Sequence, residues 1–117
     1  MFILLIAMVV LEANPNNKWR LEFSGNAKSD GVITLQITPK DGQPLVAEIS
    51  VADKTSENDV AKTVVKALKE QLPAGAYHVE RDDGEDVLIK KRGKTLNFDL
   101  EIVSNTVEGV RIGKHAE

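Results

Sequence analysis

The stretch that decides the fold reads SGNAKSDGVITLQITPKDGQPLVAEISV at residues 24–51 and continues as DKTSENDVAKTVVKALKEQL at residues 53–72. Apolar and polar residues alternate over 33–37 and again over 45–51, which is typical of strands with one buried face. The loop at 39–44 carries prolines and a glycine, residue types that favour a tight turn. This stretch therefore predicts a β-hairpin followed by a helix.

The helix is predicted near residues 57–72. Ser56 can cap its first turn through the side-chain hydroxyl, and Asp59 follows three residues later, where a carboxylate suits the positive end of the helix dipole. Pro73 and Gly75 end it. The apolar residues that fall on one stripe of this helix are Val60, Ala61, Val64, Val65, Leu68 and Leu72.

Alternating residues on either side of this unit predict the remaining strands. Residues 19–23 alternate before it, and residues 77–81 and 87–91 form a hairpin after it. Residues 96–102 alternate next, and a short strand at 110–112 closes the sheet. The order is β-β-β-α-β-β-β. The predicted fold class is α+β, a mostly antiparallel sheet or sandwich of about six strands with one amphipathic helix.

Length and composition predict one ordinary globular domain. The chain has 117 residues, of which 42% are apolar and 28% are charged. We expect residues 18–117 to form a single α+β domain and residues 1–17 to be an apolar N-terminal segment with a linker. A net charge of −3 disfavours sequence-independent binding to nucleic acid and charge-driven binding to anionic lipid. The absence of cysteine excludes disulfides and thiolate chemistry.

The N-terminal segment allows three interpretations. Residues 2–11, FILLIAMVVL, are uninterrupted apolar sequence. A membrane span needs about 20 such residues, so the segment is too short to cross a bilayer. A signal peptide would fit the apolar core, but no basic residue precedes it and residues 11–13 make a poor cleavage site. We favour a buried element, covered in part by a partner subunit or another copy, because an all-apolar segment must be covered on all sides.

No catalytic, metal or cofactor site is predicted from the sequence. His78 and His115 have no second ligand at metal-binding spacing. The acidic run at residues 82–86 lacks a calcium-loop pattern, and its Asp-Gly pair is typical of a solvated hairpin tip. No serine has a nucleophile context, and no glycine-rich loop could hold a phosphate. We therefore expect no enzyme activity, no cofactor and no small-molecule substrate.

A basic run at residues 90–94 lies at the other end of the same predicted hairpin. Together with the acidic tip it could hold like subunits head to tail. The residues of the predicted assembly interface are Phe2, Leu4, Leu5, Met8, Val9, Lys90, Lys91, Arg92 and Lys94.

The order of elements resembles the β-rich (β-β-α-β-β) module of Mu-like bacteriophage contractile tail sheath proteins. That module begins with a phrase like SG-x-A-x-x-x-G, which Ser24, Gly25, Ala27 and Gly31 match here. The helix start at residues 53–60 also corresponds. So do the K-x-x-G turn formed by Lys90, Lys91, Arg92 and Gly93, and the earlier Ala13-Asn14-Pro15 with Trp19.

The resemblance covers most of the chain, with two departures. The helix start reads KTSEND where the family usually has a tighter Gly-Asp-Thr phrase, and the chain is shorter than a sheath subunit. The resemblance implies a virion or filament building block.

Three functions remain open from the sequence. The first is a structural protein of a bacteriophage tail, located in the virion, with other copies or other tail proteins as partners. The second is a secreted or periplasmic binding module, with residues 1–13 as signal or anchor. The third is a small enzyme, which the lack of any clustered acid, base or metal ligand disfavours.

Overall fold

The computed structural model describes residues 15–117 and shows an α+β fold of seven strands and one helix. The predicted apolar segment lies outside the described residues. The strands are β1 (Lys18–Ser24), β2 (Gly31–Pro39), β3 (Leu45–Val51), β4 (Tyr77–Asp82), β5 (Asp86–Lys91), β6 (Phe98–Asn105) and β7 (Arg111–Ala116). The helix is α1 (Glu57–Gln71), between β3 and β4.

The strands form two antiparallel sheets. The first has four strands in the order β4-β5-β1-β7, and the second has three in the order β3-β2-β6. In the first sheet Leu21 pairs with Val87 of β5 on one side and with Lys114 of β7 on the other. The first strand of the domain is therefore interior to its sheet, between strands that come much later in the chain.

The inner faces of the two sheets share one core. Each strand sends alternate side chains inward, as the sequence pattern predicts. The largest fully buried side chains are Phe23, Phe98, Leu21, Ile33, Leu35, Ile37, Ile49, Leu68, Ile89, Leu100, Val60 and Val64. The outer faces are largely polar. The apolar exceptions are Leu88, which lies beside its register partner Arg20 and is only 8% exposed, and the exposed valines of the second sheet, Val32, Val46 and Val103.

Helix α1 closes one side of this sandwich. The Ser56 hydroxyl accepts a hydrogen bond from the Asp59 backbone N–H at 3.3 Å, so the predicted cap is confirmed. The helix packs against β3 and β4, which are edge strands of the two sheets, and also contacts β1 and β5. At its last turn the Gln71 amide exchanges two hydrogen bonds, of 2.9 and 2.8 Å, with the backbone of Glu48 on the β3 edge.

The other side of the sandwich is joined by polar contacts. The Lys114 ammonium from β7 donates to the Leu100 carbonyl of β6 at 2.7 Å and lies 5.2 Å from the centre of the Trp19 ring. The Trp19 indole N–H donates to the Phe98 carbonyl at 2.8 Å. Both donors are therefore satisfied where they enter apolar surroundings.

Most of the predicted elements are confirmed, and the α+β class with antiparallel strands and one helix is as predicted. Three boundaries differ. The short strand predicted at 110–112 is the longer seventh strand, which begins at Arg111 and ends at Ala116. The helix ends at Gln71, since Leu72 has extended backbone angles and caps it. The strand predicted from Leu96 begins at Phe98, and the Leu96 side chain is 53% exposed. The alternation of apolar and polar residues extends back to Leu96, but Leu96 lies in an exposed loop before the strand, so the pattern placed the start of the strand two residues too early.

Candidate assembly interface

Two charged surfaces lie at opposite ends of the β4–β5 hairpin. The hairpin turns at Asp83 and Gly84, whose φ angles of 49° and 76° are the left-handed values that an Asp-Gly turn favours. Lys91, the last residue of β5, is six residues from Glu85 at the turn, which corresponds to roughly 20 Å along an extended strand. We call the turn end the acidic end and the Lys91 end the basic end.

The acidic end is a recess of about 500 Å³. The carboxylates that line it are Glu22, Glu57, Asp83, Glu85 and Asp86. They come from β1, the helix start and the hairpin turn, so the sequence revealed only those near the turn. Glu57 accepts a hydrogen bond from the Gly25 backbone N–H at 2.9 Å, and His115 lies 2.8 Å from Glu22.

Arg20 ties part of this acidic group to the outer face of the first sheet. Its guanidinium contacts Asp86 at 2.6 Å, Asp82 at 3.1 Å and Glu117 at 3.1 Å. These carboxylates raise the pKa of Arg20, chiefly through the hydrogen bonds that its guanidinium donates to Glu117, and Arg20 in turn lowers the pKa of Glu117. The sequence missed this network because its members are separated by more than 60 residues.

Arg81 is a second cation at the acidic end. It donates to the Gly84 carbonyl at 3.2 Å. Arg81 thus bonds to the backbone and not to a carboxylate of the turn. In residues 15–117 no Lys, Arg or His side chain lies within 4 Å of the Asp83 or Glu85 carboxylate.

The basic end gathers more cations than the sequence run alone. Its members, on β5, the following loop and the β2–β3 loop, are Lys40, Lys90, Lys91, Arg92 and Lys94. Among the described residues no carboxylate lies within 4 Å of any of these five charged groups. The structure thus brings the predicted basic residues together and adds Lys40, which joins them because the Lys40 N–H bonds to the Asn97 carbonyl at 2.8 Å.

Arg92 has a structural role besides its charge. Its Nε donates to the Tyr77 carbonyl at 3.2 Å, and Nη2 lies 3.1 Å from His78 Nδ1. Its side chain therefore fixes the start of β4 against the end of β5, whereas no hydrogen bond between a protein group and the Lys90, Lys91 or Lys94 ammonium is found in the described part of the chain.

The N-terminal segment joins the domain at the basic end. The Asn16 backbone N–H and carbonyl each bond to Phe98 at 2.9 Å, and the Asn17 carbonyl accepts the Lys91 N–H at 3.0 Å. Asn16 and Asn17, the residues that lead into the predicted apolar segment, therefore lie beside the basic end. Phe2, Leu4, Leu5, Met8 and Val9 themselves lie outside the described residues.

A small apolar cavity of about 290 Å³ lies between the C-terminal end of α1 and β4. Its lining residues are Leu68, Lys69, Leu72, Pro73, Ala74, Tyr77, His78, Val79 and Arg92. Tyr77 packs edge-on against Phe98, and its hydroxyl is buried with no hydrogen-bond partner in residues 15–117. Burial raises the pKa of this hydroxyl.

The glycines that carry the family resemblance have structural contacts. Gly25 has φ of 87°, and a Cβ placed on it would lie 2.0 Å from the Gly109 carbonyl oxygen. A Cβ on Gly31 would lie 2.7 Å from the Val107 backbone nitrogen. The SG-x-A-x-x-x-G phrase therefore allows the 24–31 loop to pack directly on the backbone of the 106–110 loop.

Comparison with known proteins gives no family for this chain: no protein-family model matches it, and no curated protein matches it significantly. Within residues 15–117 no helix is long and apolar enough to cross a membrane. Across the same residues, no three side chains of His, Asp or Glu are grouped so that they could hold a metal ion.

Proposed function

We propose that this protein is a non-enzymatic structural protein of a bacteriophage tail, sheath-like or tail-associated, that works in the virion by assembly with other copies of itself. The family resemblance suggests this role. The observation that supports it best is that one sheet carries an acidic recess at one end and an unpaired group of cations at the other.

Opposite charges at two ends of one subunit favour head-to-tail contact. The acidic end of one copy would meet the basic end of the next, and the same contact would repeat along a row. Such a heterologous contact closes into a ring when its rotation permits and otherwise continues as a filament. Both shapes are the geometry of tubular tail assemblies.

The apolar segment would supply a second contact. Phe2, Leu4, Leu5, Met8 and Val9 precede the attachment at Asn16 and Asn17, which lies at the basic end. Apolar side chains there would add affinity to a contact whose orientation is set by charge.

Charge reversal at each end tests the head-to-tail contact. One variant carries Lys90→Glu, Lys91→Glu and Lys94→Glu, and the other carries Asp83→Lys and Glu85→Lys. Each variant alone presents like charges at its two ends, so light scattering at low salt should find monomers. A mixture of the two should associate again, because each reversed end then meets an opposite charge.

The matched control reverses the charge of Lys62 and Lys66, which lie on the solvent-exposed face of α1. Lys62→Glu with Lys66→Glu should leave association unchanged. Association that survives both end reversals, or that the mixture does not restore, would contradict the head-to-tail proposal.

A second candidate function is a module tethered to a membrane surface through residues 1–13. The attachment of an apolar segment beside a group of lysines favours it, because an apolar anchor and basic side chains together bind anionic lipid. Co-sedimentation of the full chain with anionic vesicles, and not with neutral ones, would support this function. Cleavage of the recovered chain near Ala13 would instead indicate secretion.

A further inference from the structure

The cavity beside α1 has a composition that selects its occupant. Leu68, Leu72 and Val79 form an apolar floor and are each less than 10% exposed. Lys69 and Arg92 stand at its rim, and in the described chain neither has a carboxylate within 4 Å. An aliphatic side chain followed directly by a carboxylate would satisfy both parts.

We propose that Leu11 of the same chain docks in this cavity and that Glu12 pairs with the rim. Glu12 is the one side chain in residues 1–17 that carries a charge at neutral pH, and it directly follows the apolar stretch. The segment therefore offers an aliphatic group and a carboxylate at adjacent positions, in the arrangement that the cavity requires.

The attachment point allows this docking within one molecule. Asn17 bonds to Lys91, and Lys91 is the register partner of Tyr77, which lines the cavity. Two strand spacings separate Asn17 from Tyr77, or roughly 10 Å. Asn16 is also held, by its two hydrogen bonds to Phe98, whose ring packs against Tyr77 with the centroids 5.1 Å apart. The chain from Leu11 to Asn16 can span up to roughly 17 Å, so Leu11 reaches the cavity without a neighbouring copy.

Docking of Leu11 goes beyond the proposed assembly role and does not depend on it. Only residues 11 and 12 are used, and residues 2–9 stay available to a neighbour. The docked segment would direct those residues along the basic end, because their exit would be fixed on the surface beside Arg92.

Disulfide trapping in the full chain tests the proposal. The natural chain has no cysteine, so a Leu11→Cys/Ala74→Cys variant contains a single possible pair. Ala74 lines the cavity and is exposed. Under mild oxidation we expect an intrachain disulfide, seen as a faster-migrating monomer on a non-reducing gel, formed at least about tenfold faster than in the control pair.

The control pair is Leu11→Cys/Ser104→Cys. Ser104 is exposed and lies on β6 six residues beyond Phe98, away from the cavity. Adding Glu12→Lys to the Leu11→Cys/Ala74→Cys variant should slow trapping several-fold, because a like charge then meets the rim. A second trapping pair, Glu12→Cys/Lys69→Cys, tests the rim contact without a change to the cavity floor.

Two outcomes would overturn the proposal. Trapping at either cavity pair no faster than at the Ser104 control would show that the segment does not dock there. A disulfide-linked dimer would show that it docks on a second copy. Neither outcome bears on the head-to-tail contact, which the charge-reversal variants test separately.

Discussion

At Gly25 two loops meet backbone against backbone, and this contact depends on the absence of a side chain. The 24–31 loop reaches Gly109 so closely that even a methyl group at Gly25 would overlap the Gly109 carbonyl oxygen at 2.0 Å. The positive φ of 87° adds strain for any other residue. The residues that most suggest the sheath family are therefore explained by packing within this chain.

The Gly25→Ala variant should lose about 3 kcal/mol or more of unfolding free energy, because both strain and overlap must be relieved. Gly93→Ala is the matched control. Its φ is also positive, at 52°, but a Cβ there would meet nothing within 4 Å, so its cost should be about 1 kcal/mol. Urea unfolding measures both, and equal losses would show that the loop contact is unimportant.

Tyr77 places a hydroxyl in the core without a partner in residues 15–117. Removing it should therefore not destabilise the protein. We expect Tyr77→Phe to leave the unfolding free energy unchanged or to raise it by up to about 1 kcal/mol, since an unpaired buried hydroxyl is costly. A clear loss of stability in urea would mean that the hydroxyl has a partner, such as water or the N-terminal segment.

The burial of the Tyr77 hydroxyl leads us to predict that the free energy of unfolding falls at alkaline pH. Burial raises the pKa of Tyr77 in the folded state, so the unfolded chain loses this proton at a lower pH than the folded protein does. Stability should be unaffected well below the ordinary tyrosine pKa and should fall as the pH rises through and above it. Because Tyr77 is the single tyrosine, tyrosinate absorbance follows it directly. The Tyr77→Phe variant should lack this component of the alkaline decline.

At the scale of elements, β1 is joined to β5 by charge as well as by its backbone ladder. Arg20 on β1 contacts Asp86 on β5, and Asp86 is only 8% exposed. Gln71 makes a comparable link, since its amide covers backbone groups of Glu48 on the β3 edge that would otherwise be open to another strand. Side chains at the ends of elements thus fix how the sheets and helix sit together.

The Arg20→Met variant should lose about 2 kcal/mol of unfolding free energy, because it keeps the aliphatic stem and leaves the largely buried Asp86 carboxylate without its cation. Lys62→Met is the matched control. It removes an exposed ion pair with Asp59 at 3.6 Å, and such pairs contribute less than about 1 kcal/mol. Similar losses in the two variants would mean that the Arg20 network adds no more than a surface pair.

At the scale of the whole molecule, the separation of charge between the two ends makes association sensitive to salt. At about 0.1 M salt the screening length is about 10 Å, and at about 1 M it is about 3 Å. Head-to-tail association should therefore weaken strongly between these concentrations, as measured by light scattering. Association that strengthens with salt would point to apolar contacts as its main source.

A separate prediction concerns the role of the apolar N-terminal segment in assembly. Leu5→Asp or Met8→Asp should abolish assembly while residues 18–112 stay folded, because a charge would enter a contact that excludes water. Light scattering reports assembly, and circular dichroism reports the fold. Unfolding of the whole domain would show instead that the segment belongs to the core.

The sequence by itself determined the order of the elements, the helix cap and the face that each strand buries. Alternation over 33–37 and the Ser56–Asp59 pair are local signals, and local backbone preference is sufficient to specify them. The sequence also revealed the acidic turn and the basic run, since the members of each are neighbours in the chain.

Apart from the two predicted hairpins, β2–β3 and β4–β5, only the tertiary structure decided which strands are neighbours. The placement of β1 between β5 and β7 creates the Arg20 network, and the closeness of Glu22 and Glu57 to the hairpin turn completes the acidic recess. Lys40 reaches the basic end in the same way. Periodicity fixes which side of a strand is buried but carries no information on its partner, because pairing depends on contacts between residues far apart in the chain.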